Sequence, residues 1–178
     1  SRNTAMQSVA RQSLRRFFRG SHIRSLSTTK ITLPKKGWPI QLKADVQWGD
    51  QDAYMHVNNT QYFRWWESAH IAYLQLFGIM MKGNALDEKG AIIARSECNF
   101  LRAITFPDTV TVCCRGTSLG NTSLSVEYLL KNGAGEDCAT GAAAIVLYDY
   151  IADGKMSLSD EMKQKIATIE DQAPPYTP

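Results

Sequence analysis

Polar and apolar residues alternate singly over Gln41–Trp48, with Leu42, Ala44, Val46 and Trp48 set against Gln41, Lys43, Asp45 and Gln47. Period two predicts a half-buried strand. The pattern then breaks into a polar loop, Asp50–Asn59, and resumes at a different period. Over Thr60–Phe77, the residues Tyr62, Trp66, Ala69, Tyr73 and Leu76 recur at steps of four and three, a wide apolar stripe on a long helix. Asn58 or Asn59 can cap its start, and Gly78 can end it. From Gly90 the alternation returns. It predicts strands over Ala91–Arg102, Thr109–Thr117, Thr122–Lys131 and Cys138–Tyr150, separated by Pro107-Asp108, by Ser118-Leu119-Gly120-Asn121 and by Asn132-Gly133-Ala134-Gly135-Glu136. Leu124, Val126, Tyr128 and Leu130 share one face of the third of these. The fourth is rich in small residues (Ala139, Gly141, Ala142, Ala143, Ala144), as where a backbone packs closely on a helix. A short helix over Ser159–Ile169 follows, and Pro174, Pro175 and Pro178 end the chain loosely.

The order β–α–β–β–β–β is an α+β class: a five-stranded antiparallel sheet wrapped around one long helix. Hairpin-length links predict that the last four strands are neighbours in sequence order. One helix covers little of such a sheet. The uncovered edge and face therefore predict a homodimer, or a tetramer of dimer units.

Charge divides the chain. Residues 1–36 hold nine of the 20 Lys and Arg and none of the 17 Asp and Glu, so the remainder carries a net charge of about −6 although the whole is +3. A mildly acidic folded part argues against a nucleic-acid groove there. Residues 1–30 are basic, Ser-rich and acid-free, with Met6, Val9, Ala10, Leu14 and Phe17 on one side of a helical wheel and Arg11, Arg15 and Arg19 opposite. This is the composition of a mitochondrial transit peptide, with a disordered basic tail and an RNA-binding arm as alternatives. The folded domain is placed at 31–172, a flexible tail at 173–178, and the location in the mitochondrial matrix. No apolar run approaches the roughly 20 residues of a transmembrane helix. The four cysteines, Cys98, Cys113, Cys114 and Cys138, form no C-x-x-C and no Cys/His ligand spacing, and read as reduced thiols without a metal.

The candidate chemistry lies between the first strand and the long helix. Asp50, Asp52 and His56 place two carboxylates and a histidine in a loop that runs into a helix N-terminus. Acid/base groups beside unpaired amides and a positive dipole end suit acyl transfer to water. Each residue also has a plainer reading. Asp52 can cap a turn, Asn58 and Asn59 can cap the helix, His56 can bond to backbone, and Glu67 can pair with a nearby base. Asp50 satisfies loop amides. Tyr54 can line an acyl pocket, and Trp65, Trp66 and Tyr73 are core residues before they are tunnel walls. Arg64, Lys82, Arg95 and Arg102 are possible contacts for phosphate groups, or ordinary surface charges.

The run D-x-D-x-x-x-H-V-N-N (Asp50, Asp52, His56, Val57, Asn58, Asn59), followed by Tyr62 and Glu67 on the helix, resembles hotdog-fold acyl-CoA thioesterases of the 4-hydroxybenzoyl-CoA thioesterase type. The resemblance covers about residues 38–170, and Gly120-Asn121-Thr122-Ser123 agrees with it more weakly. It implies a hotdog fold, dimers joined sheet edge to sheet edge, and active sites at the dimer interface. It implies Asp52 as the base or nucleophile, or Glu67 in its place as in some relatives, with the backbone N–H near Asn59 polarising the thioester carbonyl. His56 would orient Asp52 or a water. Tyr54, Asn58, Arg64 and Arg102 fall to the substrate. Plant-type acyl-carrier-protein thioesterases carry D-x-N-x-H-V-N-N here; Asp52 and His56 match, but Tyr54 stands where Asn belongs. The implied reaction releases a carboxylic acid and CoA from acyl-CoA, or acts on an acyl-carrier protein, with no cofactor. Two other readings are a non-catalytic hotdog scaffold or acyl-binding protein in a mitochondrial assembly, and an enoyl-CoA hydratase. The hydratase pattern D-x-x-x-x-H needs four residues between acid and histidine, and this chain has three between Asp52 and His56.

Overall fold

A computed structural model describes residues 30–79 and 89–176. The chain forms β1 (Ile31–Thr32), β2 (Ile40–Asp45), a 3-10 turn (Trp48–Asp50), α1 (Asn59–Gln75), β3 (Lys89–Phe100), β4 (Thr109–Leu119), β5 (Ser123–Lys131), β6 (Asp137–Asp149), β7 (Gly154–Lys155) and α2 (Asp160–Asp171). Five long strands lie in the order β2-β4-β5-β6-β3, every neighbouring pair antiparallel; β1 extends one edge on β4, and β7 pairs with the end of β6. The α+β architecture is the expected one, a hotdog: α1 lies along the inner face of the sheet. The leader, Lys82 and the last two residues fall outside the described residues.

The pairing differs from the expectation in one respect. β3 and β4 are not a hairpin: β3 pairs with β6, and β4 with β2 and β5. Residues 101–108 form a crossover rather than a turn. The N–H groups of Leu101 and Arg102 donate to the Cys138 carbonyl at 2.9 and 3.1 Å, the buried Ile104 accepts from Val57 N–H at 2.8 Å, and Asp108 accepts from Val46 N–H at 2.9 Å. The link thus runs from the β6 side of the sheet, past the start of α1, to the β2 side. The backbone bonds that a hairpin would make are replaced along the way.

β2 also stops early. Pairing ends at Asp45, and Trp48 enters the 3-10 turn 65% exposed, so only Leu42, Ala44 and Val46 of the expected apolar face turn inward. On α1 the stripe of Tyr62, Trp66, Ala69 and Tyr73 is buried as expected; its last member is Phe77, while Leu76 is 38% exposed because the helix ends at Gln75. Gly78 follows with φ +78°, the left-handed conformation that ends helices. β5 alternates without a break, with Leu124, Val126, Tyr128 and Leu130 buried.

Two sheet glycines receive the helix. A Cβ on Gly141 would stand 2.4 Å from Cη2 of Trp66, and one on Gly116 would stand 2.3 Å from the Tyr73 hydroxyl. At Gly116 a third element joins. Glu170, on α2, is fully buried; its Oε1 accepts from Tyr73 Oη at 2.5 Å and from Gly116 N–H at 2.6 Å, while Oε2 is buried with no partner among the described residues. Helix α2, capped by Ser159 Oγ at Met162 N–H, is thereby pinned to both α1 and β4, with Ile166 buried beside it. The chain beyond α2 does not leave the fold at 173. Trp38 N–H donates to the Pro174 carbonyl at 2.8 Å, Gln41 Nε2 to Pro175 at 3.0 Å, and Lys131 lies over the Tyr176 ring.

Burial raises the Glu170 pKa, more than its two hydrogen bonds lower it. The folded state then holds this proton more tightly than the unfolded chain. The stability so gained is complete below the ordinary carboxyl value near 4.5 and is lost as pH rises through the folded value. Urea unfolding from pH 4 to 8 should show Glu170→Gln gaining on the parent protein as pH rises. A difference between the two that does not change with pH would refute a raised pKa at this carboxyl.

Candidate active site

The loop between β2 and α1 is folded around one carboxylate. An isolated bridge between Gln51 and Val57 closes its base. Within it, Asp52 N–H donates to the His56 carbonyl at 2.8 Å, and Met55 N–H to the Asp52 carbonyl at 3.1 Å. Asp52 Oδ1 accepts from Tyr54 N–H at 2.8 Å and from His56 N–H at 3.4 Å. Met55 takes φ 63°, which lets so short a loop reverse. The turn-capping reading of Asp52 is therefore correct for Oδ1. Oδ2 has no partner among the described residues, so one oxygen holds the loop while the other is open for chemistry. Asp50 is structural as expected: its Oδ2 accepts from Gln47 N–H and its carbonyl from Asn58 N–H, both at 2.8 Å.

The two asparagines have separate positions. Asn58 is the N-cap; its Oδ1 accepts from the Thr60 N–H at 2.9 Å and the Thr60 hydroxyl at 2.8 Å. Its carbonyl accepts from Gln61 N–H at 2.9 Å. Asn59 is the first helical residue, and its own N–H has no partner among the described residues. An unpaired amide at the positive end of a 17-residue helix is suited to a carbonyl oxygen gaining negative charge.

His56 contributes its backbone to the loop, and its side chain is exposed. Tyr54, at the loop tip, is 82% exposed, with Met55 beside it. These belong to an apolar rim. Trp48 meets Phe106 edge to face at 5.7 Å, Gln51 Oε1 accepts from Phe106 N–H at 3.2 Å, and Phe100 meets Tyr62 edge to face at 5.0 Å. Trp48, Phe100, Leu101 and Phe106 are all exposed. Large apolar side chains are thus exposed on the loop that carries Asp52 and on the crossover segment bonded to it.

Other sequence-predicted residues are scattered. Glu67 is exposed on α1, about 12 Å along the axis from the Asn59 amide. One chain does not by itself gather both carboxylates at the helix tip. Arg64 is exposed on the first half of α1. Arg102 lies on the crossover and pairs with Glu136 at 3.3 Å. Arg95 pairs with Glu97 on the outer face of the sheet, the face turned away from α1. Trp65, Trp66 and Tyr73 are buried core, and Tyr73 is committed to Glu170. The described residues contain no group of three or more His, Cys, Asp or Glu placed to hold a metal ion.

His70 is a residue that the motif reading passed over. It is buried, with Nδ1 3.0 Å from the Tyr128 hydroxyl. Burial pushes its pKa below the ordinary value, against the nearby Glu67 carboxylate, which raises it. Its signal in the sequence is a histidine four residues beyond Trp66, on the shoulder of an otherwise apolar stripe. Burial also pushes the Tyr62 phenol up to about 12, so it stays neutral beside the loop.

Residues 46–166 match the family model of the Thioesterase-like superfamily, which is broader than the 4-hydroxybenzoyl-CoA type that the motif resembles. The chain is 25% identical over 140 residues to the uncharacterised protein YsmA of Bacillus subtilis, covering 76% of this chain and 93% of that one. Among solved structures, a Thermus thermophilus thioesterase complexed with coenzyme A and Zn is 29% identical, with a TM-score of 0.66 over 77% of this chain and 98% of that chain. The PA2801 protein of Pseudomonas aeruginosa is 28% identical, with a TM-score of 0.64 over 73% and 99%.

Proposed function

The chain belongs to the Thioesterase-like superfamily, and we propose that it hydrolyses acyl-CoA thioesters, with Asp52 as general base or nucleophile and the Asn59 amide as the group that polarises the thioester carbonyl. One observation carries the reading. In the loop that runs into α1, Asp52 Oδ2 and the Asn59 N–H, seven residues apart in sequence, both lack a partner among the described residues. A thioester is already activated, so such a pair is sufficient if the substrate is held in place. If Asp52 acts as base, it takes a proton from water, which adds to the carbonyl carbon; collapse of the tetrahedral intermediate breaks the C–S bond and the proton leaves with CoA thiol. If it acts as nucleophile, its oxygen adds to the carbonyl carbon and the C–S bond breaks, giving an anhydride and CoA thiolate; water then cleaves the anhydride, freeing the acid and Asp52, and its proton goes to the thiolate. Asn58 supports this chemistry as the cap that keeps the neighbouring amide in position. His56, exposed beside the carboxylate, is assigned to orienting it or a water.

The apolar rim supports a second part of the proposal, a homodimer whose interface completes the site. β3 is an edge strand whose only partner among the described residues is β6, and Ile93 and Phe100 on it are exposed. Pairing two β3 edges would cover them. It could also bring a partner's Glu67, Arg64 or Arg102 toward the loop, as base and as contacts for the CoA phosphates. A carrier-protein substrate would use the same carboxylate and amide. The basic, acid-free leader supports a mitochondrial matrix location.

Asp52→Asn keeps an oxygen for the Tyr54 and His56 amides, so the fold should survive while thiol release from acyl-CoA falls at least about 100-fold, on the order of 3 kcal/mol of transition-state stabilisation. Unchanged turnover would transfer the role to Glu67, tested in parallel as Glu67→Gln. No thiol release from any of a panel of short, medium, long and aromatic acyl-CoAs would end the hydrolase reading. Sedimentation should give at least twice the mass of one chain; a monomer at micromolar concentration would remove the interface. Residues 1–35 fused to a fluorescent reporter should carry it into mitochondria, and a diffuse signal would count against that location.

A further inference from the structure

The loop that carries Asp52 stands on two legs, and each leg is tied to the crossover that supports it. The legs are joined to each other by the Gln51–Val57 bridge and by Asn58 N–H, which donates to the Asp50 carbonyl at 2.8 Å. Val57, on the leg that runs into α1, donates its N–H to the Ile104 carbonyl at 2.8 Å. Gln51, on the other leg, is tied through its side chain: Oε1 accepts from Phe106 N–H at 3.2 Å, two residues further along the crossover. Among the described residues this is the one side-chain hydrogen bond between 46–58 and 101–108. Phe106 is itself held, since its ring meets Trp48 edge to face at 5.7 Å.

The two ties serve different groups. Val57 lies two residues before Asn59, and its bond to the crossover is between backbone atoms. Gln51 immediately precedes Asp52. Beyond Gln51 the tip turns on itself: Asp52 N–H donates to the His56 carbonyl, Met55 N–H to the Asp52 carbonyl, and Tyr54 N–H to Asp52 Oδ1. Among the described residues no hydrogen bond reaches 52–56 from outside the loop. With the Val57 leg alone tied, so narrow a loop is free to rock about that leg and carry Asp52 with it. We infer that Gln51 is a positioning residue: its amide oxygen, gripping the Phe106 N–H, fixes the tilt of the tip and so the place from which the Asp52 carboxylate acts. This rests on the reading of Asp52 as the reacting carboxylate. A reacting group misplaced by about 1 Å can lose on the order of 100-fold in rate, so a bond that adds little to folding can still govern turnover.

The test compares Gln51→Met, which keeps the length of the side chain but removes the acceptor, with Gln51→Glu, which keeps an acceptor oxygen. Gln51 is half-buried and Phe106 is 39% exposed, so water can take the freed N–H and both variants should fold. Amide hydrogen exchange in the full chain should be at least about fivefold faster at Asp52 and Met55 in Gln51→Met, with the β5 and β6 amides unchanged. With the acyl-CoA that the parent protein cleaves best, kcat should fall about tenfold in Gln51→Met while KM stays within about twofold, and Gln51→Glu should return kcat to within about threefold of the parent. Asp52→Asn is assayed beside them. A Gln51→Met protein with the parent's kcat, where Asp52→Asn is inactive, would overturn this inference and leave the role of Asp52 intact. So would unchanged exchange at the loop, or an equal loss of kcat in Gln51→Met and Gln51→Glu. A parent protein that cleaves no acyl-CoA, or an Asp52→Asn protein as active as the parent, would remove the reading of Asp52 and this inference with it.

Discussion

Everything in this domain follows from seating one aromatic helix on a sheet that omits side chains where the largest rings land. Trp66 occupies the space over Gly141, and Tyr73 reaches the backbone of Gly116. The alternative, an alanine at either place, would force the rings out by more than a bond length or part the strands. Burying Tyr62, Trp66, Tyr73 and Phe77 is the main apolar gain available to a sheet with one long helix, since each aromatic removes a large area from water. The small residues of β6 are thus complementary to the large ones of α1. Because the two contacts are about two turns apart on one helix (residues 66 and 73), they set both the position and the direction of α1 on the sheet.

Once the helix is fixed, its first amide is fixed too. The Asn58 cap, the 3-10 turn and the Gln51–Val57 bridge bring the loop to that tip, and the crossover through Ile104 supports it from below. Asp52 serves this construction with one oxygen. Structure and chemistry are commonly offered as rival explanations of a loop acid, but a carboxylate has two oxygens and can do both. The same division holds for the asparagine pair, in which the first closes a bond and the second leaves one open. Glu170 presents a contrast at the other end of the helix. It also uses one oxygen and leaves the other unpaired, but it does so in a fully buried place, where the charge rather than the geometry is the cost.

Much of this was readable in the chain. Alternation marked all five long strands, and the steps of four and three marked α1, because burial on one face imposes those periods directly. The motif marked the loop and its acids. What the pattern did not show is where a strand goes after its turn. Residues 101–108 hold a proline and polar groups, as a hairpin would, and only the long-range bonds to Val46, Val57 and Cys138 reveal a crossover. Trp48 read as inward because alternation continues past the point where pairing stops. His70 was overlooked since one polar residue at the margin of an apolar stripe looks like its solvent side, and the Tyr128 hydroxyl that makes it a buried one lies 58 residues away. Gly116 gave no local sign of its partner on α2.

The final residues have a bearing on how the domain comes apart. Gly37 has no room for a side chain because the carbonyls of Ala173 and Pro174 stand 2.3 and 2.2 Å from where its Cβ would be, and Trp38 receives Arg115 on its ring while donating to Pro174. The segment leading into β2 and the segment leaving α2 therefore clasp each other. Termini are ordinarily where fraying and proteolytic nicking begin. Here either strap can lift only by uncoupling the other, so amide exchange at Trp38 should report the cooperative opening of two segments rather than the loosening of one.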